Sequence, residues 1–317
     1  MANVYNIAGN VVLRQTVPET YGAIGDGYHD DTQAIQAAVN NKGMVVFATG
    51  KTYKTTAMIR IPKDTVLELN GATLVMTADN TSLRIFVNFL DSDTSFTQYN
   101  GNGNITIRNG TIIGGNISFA HGENITLENV HFKNSLSPHF LEICACKNYV
   151  INDCTFVGVI NTTLSVHEYI NIDPATRTAF PLLPDGSPFF DGAKNDGIIV
   201  ENCYFGLGEN DYAYGFNALG VHGVAGQETK HKNIRLVGNT LRGFTGCGFR
   251  INDMENVLIA DNDIRVAGDG IRVGDIGQST NVIIKSNVIT SSGTAVTKAN
   301  NSTVFQSADN DINPTFS

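Results

Sequence analysis

The middle of the chain carries Glu142, Asp173, His222 and Arg250, each in a short segment of alternating apolar and polar residues: FLEIC at 140–144, YINID at 169–173, ALGVH at 218–222 and GFRIN at 248–252. Two carboxyl groups flanking a sugar–sugar bond can hydrolyse it, one protonating the departing oxygen and the other activating water or attacking. His222 can hold a proton or hydrogen-bond a sugar. The fixed donor fork of Arg250 can position a sugar or an acid. Glu168, a few residues earlier in HEYINID, is a reserve carboxylate, and His139 precedes the first segment, where it either reaches the same face or caps a turn. Outward polar residues on strands are ordinarily just solvated. Suitable types in successive segments argue for a shared task.

These residues meet only if their segments stack, and the chain is repetitive in a way that makes them stack. NITIRNGTI from Asn104, NITLENVHF from Asn124, NYVINDCTF from Asn148, NIRLVGNTL from Asn233, NVLIADNDI from Asn256 and NVIIKSNVI from Asn281 share one pattern, and GIIVENCYF from Gly197 fits it with Gly in the first place. Each reads as a strand, a tight Asn or Asp turn and a second short strand, and none can bury its apolar face alone. Stacked copies place like residues about 4.8 Å apart, giving aliphatic columns inside and Asn ladders such as Asn239, Asn262 and Asn287 at one turn. The third strand of each unit then offers two outward columns: Glu142, Asn171, Gly220, Arg250 and Arg272, and beside it Cys144, Asp173, His222, Asn252 and Gly274. Glu142 and Asp173 fall one rung and two residues apart, roughly 8 Å at the backbone, which suits inversion with a water between the carboxyls.

The expected fold is therefore all-β: a single-stranded right-handed parallel β-helix, one domain over 1–317. Residues 1–43 form an N-terminal segment and cap, 44–300 the coils, and 301–317 a polar, poorly ordered tail. DDTQAIQAAVNN at 30–41 reads as a short amphipathic capping helix with Asp30 or Asp31 as N-cap. The longest intervals between repeats run from Asn148 to Gly197 and from Gly197 to Asn233, so extra chain concentrates beside the proposed site, as functional walls do. The insertion at 174–195 carries Phe180, Phe189, Phe190 and Asp191, and that at 206–217 carries Glu209, Asp211, Tyr212, Tyr214 and Phe216. Such rings either give sugars an apolar resting face or pack the loops to the coil.

A formal charge of −9 with no basic stripe argues against nucleic acid, and it mildly disfavours a polyanionic glycan. No apolar run of 18 residues exists to span a membrane. The start MANVYNIAGN lacks the basic and apolar regions of a signal peptide. Cys144, Cys146, Cys154, Cys203 and Cys247 show no metal-ligand spacing and read as buried structural thiols, Cys154 and Cys203 in neighbouring rungs. No metal or cofactor is implied. His29, His121 and His131 lie off the proposed face and read as surface residues, and His167 and His231 are weak candidates.

YGAIGDGYHDDTQAIQAAV at 21–39 resembles the N-terminal segment of the pectate-lyase-like superfamily, which includes polygalacturonases, rhamnogalacturonases, alginate epimerases and phage tailspike depolymerases. The order Glu142, Asp173, His222, Arg250 is similar to that of polygalacturonases, whose coils offer an acid, an acid pair, a His and an Arg. VHG at 221–223 and RIN at 250–252 resemble that family's GHG and RIK, while Asn171 stands where the acid pair has its first member. HFLEI, HEYINID and VHG also resemble phage and bacterial relatives acting on exopolysaccharide. By family position Asp173 is the general acid and Glu142 the base, with Glu168 the reserve; Arg250, Asn171, His139, Asn252, Asp253, Tyr212, Tyr214 and Phe190 are the candidate sugar-binding residues. The resemblance implies a polysaccharide partner on an exopolysaccharide, capsule or plant-type glycan, an extracellular or virion-associated location, and a monomer, or a homotrimer in a phage tail. Two other functions compete. A lyase would neutralise and deprotonate a uronate with Arg250, His222 and Asn171, against the repulsion of Glu142 and Asp173. A tail or adhesin module would bind glycan without cutting it.

Overall fold

The computed structural model describes residues 15–160, 168–183, 186, 188–206, 217–221 and 229–313, together with the backbone of two short strands at 4–5 and 11–12. The repeats stack as parallel coils. One nine-stranded sheet runs through Ile59–Arg60, Arg84–Val87, Asn116–Ala120, Leu141–Cys144, Glu168–Asp173, Asn217–Gly220, Cys247–Ile251, Asp269–Val273 and Val296–Lys298 in that order. Two further strand series form the other faces; Lys147–Asn152 and Thr155–Val159, for example, pair in parallel with Asp196–Glu201 and Tyr204–Gly206 of the next coil. The chain is a right-handed parallel β-helix, the hand required when twisted parallel strands are joined by crossovers.

Asn abundance follows from backbone geometry. Asn104, Asn124, Asn148, Asn233, Asn256 and Asn281 all have φ between 52° and 59°, the left-handed region that Asn tolerates and β-branched residues do not. Their side chains run as a ladder: Asn124 donates to Asn104 at 3.1 Å, Asn148 to Asn124 at 3.1 Å, and Asn281 to Asn256 at 2.8 Å. Gly197 takes the same turn at φ 75°. A second, buried ladder passes through Asn239, Asn262, Asn287 and Asn310. Asn262 donates to Leu236 O at 2.9 Å and Asn287 Oδ1 at 2.8 Å, and its own oxygen accepts from the backbone and side chain of Asn239. Replacing Asn262 by Ala strands these partners, so a loss of about 3 kcal/mol is expected in a denaturant titration. A loss below about 0.5 kcal/mol, the scale of a surface change, would show that the ladder is decoration.

The core is one continuous column of aliphatic and aromatic side chains from Ala23 to Ala295. Within it Phe132, Phe156 and Phe205 stack face to face at 4.9 Å per step. Cys154 and Cys203 occupy adjacent rungs beside that stack, and all five thiols are free and buried.

Three boundaries differ from expectation. The helix is confined to Thr32–Val39; Asp31 is its N-cap residue as expected, but the Asp31 carboxylate accepts from the backbone of Ile24 and Gly25, and Asp30, at the end of the strand before, accepts from the Thr32 backbone instead. The coils begin before residue 44: Gln15–Thr16 pairs with Gly43–Val46, and Asp26–Asp30 with Thr52–Thr55. They also continue past 300, where Val304–Gln306 and Asp311–Ile312 add to the stack. Polarity in that tail is ladder chemistry, since Asn310 extends the Asn287 rung.

Candidate functional site

The outward face of the nine-stranded sheet forms the candidate groove floor. Its register joins Ser118, Glu142, Asn171 and Gly220 in one column, with Arg250 and Arg272 as its later rungs, and Cys144 with Asp173 in the next. Alternation explains the facing, because Leu141, Ile143, Ile170 and Ile172 take the core side. The outward residues are nonetheless covered: Glu142, Asn171, Asp173 and Glu168 are all buried.

Glu142 is held by a clamp that reaches back two rungs. Arg84 Nη2 lies 2.9 Å from its Oε2 and 3.1 Å from its Oε1, Arg84 Nε adds a contact at 3.2 Å, and the Ser118 hydroxyl donates at 2.5 Å. Both oxygens are occupied by charge-assisted bonds, the strong kind. Asp173 Oδ2 accepts from Asn171 at 3.0 Å, so these two act as a unit.

Glu168 departs most from the expected picture. It is 0% exposed, yet its side chain lies on the outer face over Gly220, where an added Cβ would stand 2.2 Å from Glu168 Cγ. Asn217 donates to Glu168 Oε1 at 3.2 Å, and Arg250 Nη1 stands 3.9 Å from the same oxygen. His139 is buried too; its Nδ1–H donates to the Glu168 carbonyl at 2.7 Å and lies 3.8 Å from Oε2. Arg250 is shared with Asp275 at 3.1 Å, and Arg272 bridges Asp269 and Asp275. Glu168, His139, Asn217 and Arg250 thus come together, with Gly220 supplying the space.

Asn252 and Asp253 follow directly on the Arg250 strand and are buried. Burial pushes the Asp253 carboxyl above its ordinary value despite Lys194 and Lys230 nearby. His222, Tyr212 and Tyr214 lie outside the described residues, as does His167. In the 174–195 insertion, Phe180 and Phe189 are buried against Phe89 and Phe96. They fasten the loop to the coil and offer no face to a sugar. Phe190 stays half-buried with Arg177 over its ring at 5.9 Å.

His121 corrects the sequence reading, and His231, a weak candidate, is placed in the interior. His121 is fully buried, its ring nitrogens 2.7 Å from Gln98 O and 2.9 Å from Phe189 O, tying two loops together. His231 is fully buried as well, and its Nδ1 accepts from the backbone and side chain of Asn195 at 3.1 Å. Burial, then the Lys194 charge, lower its pKa to about 3. His121 was misplaced because it sits in a turn, where alternation gives no facing, whereas His231 opens the strand His231–Val237. Arg84, Ser118 and Lys194 were missed outright. Extending the Glu142 column two rungs toward the N-terminus, through NISFA to RIFV, would have found the first two. Among the described residues no group of three or more His, Cys, Asp or Glu is arranged to hold a metal ion.

Fold and groove together define a right-handed parallel β-helix with a polar, carboxylate-bearing outward sheet. Among particular proteins, the chain is similar to plasmin and fibronectin-binding protein A of Streptococcus pneumoniae, 27% identical over 295 residues, covering 81% of this chain and 40% of that protein. It is similar to the pre-neck appendage protein of Bacillus phage phi29, 27% identical over 284 residues, covering 84% of this chain and 28% of that protein. The chain therefore spans less than half the length of these relatives. A capsule-specific depolymerase of a Klebsiella phage is 51% identical over 47 residues, 14% of this chain and 6% of that protein. Among solved structures, the crystal structure of PfbA, a surface adhesin of Streptococcus pneumoniae, superposes with a TM-score of 0.73 at 21% identity, covering 94% of this chain and 85% of that one. The tailspike protein of E. coli bacteriophage HK620 superposes with a TM-score of 0.59 at 14% identity, covering 97% and 54% respectively. No family profile matches the chain.

Proposed function

We propose that this chain is an extracellular or virion-borne glycan-processing β-helix, which binds a polysaccharide along the outward face of the nine-stranded sheet and hydrolyses it. The observation that carries the reading is Glu168, a carboxylate with no exposure on the outer face of a sheet, held by Asn217, Arg250 and His139 above an obligatory glycine. Burying a carboxylate costs several kcal/mol, and side chains kept at such cost concentrate at functional sites. Glu142 has both oxygens engaged by Arg84 and Ser118, which leaves it without a free oxygen to activate a water. The roles are therefore assigned to Glu168 and Asp173 as the working pair, with Glu142 as the anchor of the floor. The phage relatives support this reading, one of them a capsule depolymerase and one a tailspike also solved in complex with a pentasaccharide. A homotrimer fits if the protein belongs to a tail.

A second reading, binding without cleavage, is favoured by the occupied carboxylate of Glu142 and by the adhesin relative. A depolymerisation screen over neutral and acidic bacterial polysaccharides separates them. Hydrolysis releases new reducing ends, a lyase gives ultraviolet-absorbing unsaturated ends, and a binder retains polymer uncut. Retention of a polymer with no new ends would overturn the enzymatic assignment.

A further inference from the structure

We infer that Asp275 is a positioning residue for the groove: it grips one edge of the Arg250 guanidinium from the next rung, and so fixes how closely that cation approaches Glu168. This rests on the reading of Glu168 as a working carboxylate and adds the means by which its charge is controlled.

From Glu168 the groove floor continues as a line of charges alternating in sign. Arg250 Nη1 lies 3.9 Å from Glu168 Oε1, an ion-pair separation too long for a hydrogen bond. On its other edge Arg250 Nε donates to Asp275, 3.1 Å from Oδ2 and 3.4 Å from Oδ1. Arg272 Nη1 stands 3.7 Å from the same Asp275 Oδ2, and its Nε and Nη2 donate to Asp269 at 3.1 and 2.8 Å. The terminal nitrogens of Arg250 make no hydrogen bond among the described residues, so every bond that places this guanidinium comes from Asp275.

Register makes such a partner necessary. Arg250 and Arg272 are direct neighbours on adjacent strands, and like charges so placed repel. A carboxylate between them removes the repulsion, and that alone would be a structural role. The second Arg–Glu pair of the floor shows what Asp275 adds. Arg84 has no other carboxylate beside it among the described residues, and it closes on both oxygens of Glu142. Arg250, held by Asp275, stays short of bonding Glu168. Such a bond favours the anion strongly, whereas the longer separation favours it less.

The placement of Asp275 is fixed on both sides. Gly274 has φ 78°, and an added Cβ there would stand 2.1 Å from Ser302 Oγ. Ile276 N donates to Asn252 Oδ1 at 3.3 Å. The other groups facing Glu168 are His139, 3.8 Å from Oε2, and the uncharged Asn217 on the following strand. Asp173 lies at the far end of the Glu168 strand, and Glu142 on the preceding strand is paired with Arg84.

The test is an NMR titration of the full chain with isotope-labelled Glu side chains, the Glu168 signal being assigned by its loss in Glu168→Gln. Asp275→Asn keeps the shape and removes the charge, which frees Arg250 to close on Glu168. The Glu168 titration should then move down by about one pH unit, the lower end of what a nearby opposite charge does to a carboxyl. Arg272→Gln leaves the Asp275 charge uncompensated and should move it up. Asp275→Glu should return it toward the wild-type position. With Glu168 as the base, the acid limb of polysaccharide cleavage should follow the same two directions. Loss of a merely structural contact lowers melting temperature in both variants and gives no opposite displacements. A Glu168 signal unmoved by Asp275→Asn, one displaced the same way in both variants, or one that titrates in none of the proteins would overturn the assignment. Opposite displacements with no polymer cleaved would sink the hydrolase and leave this control standing. Cleavage that needs Glu168 but keeps its acid limb in Asp275→Asn would do the reverse.

Discussion

Glu168→Gln is expected to lower polysaccharide cleavage by roughly 10²- to 10⁴-fold, the span of a general acid or base, while the protein stays folded. Glutamine keeps the shape over Gly220 and an oxygen for Asn217, so the groove loses a titratable group and little else. Asp173→Asn should give a similar loss on the natural glycan and spare aryl glycosides with good leaving groups, since acid assistance matters most for a poor leaving group. Glu142→Gln should act through stability, because it breaks the charge pairing with Arg84. Initial rates of reducing-end release, measured beside melting curves for the three variants, distinguish these outcomes. Full activity of Glu168→Gln would move the chemistry off this residue, and equal large losses of activity for Glu142→Gln without destabilisation would return the base to Glu142.

The second large effect is on stability against pH. Above pH 6.5 the imidazole of His231 is neutral in both folded and unfolded chains and contributes no slope. As pH falls below 6.5, the unfolded chain takes up a proton that the native state refuses until about pH 3. Stability should therefore fall by about 1.4 kcal/mol per pH unit through this window, approaching 4 to 5 kcal/mol at its lower end. Asp26, Asp30, Asp263, Asp269 and Asp309 have lowered pKa values and cost stability only as pH approaches and passes below the ordinary carboxylate range. Asp253, raised by burial, opposes the trend modestly, because its native form binds the proton more readily than its unfolded form. Denaturant titrations at pH 7, 5.5 and 4.5 check the slope. His231→Gln, which keeps an acceptor for Asn195, should flatten it. A slope unchanged in that variant would show that the loss comes from elsewhere.

The coils were legible because two signals agreed: a repeated Asn at a position needing positive φ, and period-2 alternation between turns. The pairing of Glu142 with Asn171 and of Cys144 with Asp173 follows from those signals alone. What alternation cannot show is the path of a long side chain after it leaves the backbone. Glu168 crosses to the space over Gly220, and Arg84 reaches across two rungs to Glu142. Turns carry no periodicity either, which is why His121 and Lys194 were misjudged or unplaced. The rings of Phe180 and Phe189 were ambiguous for another reason: a loop on a narrow solenoid needs its own small core, and these residues supply it.

The rung-by-rung bonding of the sheet also sets how the molecule carries force. Each interior strand of the groove floor is bonded to the rung before it and the rung after, and only the two end strands have a single neighbour, so tension applied at the two ends of the stack unzips terminal coils one at a time instead of shearing the whole. The Arg84–Glu142 bridge pins three consecutive rungs, those of Arg84, Ser118 and Glu142, on the N-terminal side of Glu168. A fibre anchored at one end and loaded at the other would lengthen from its extremities, and the carboxylate-bearing segment would be among the last to give way.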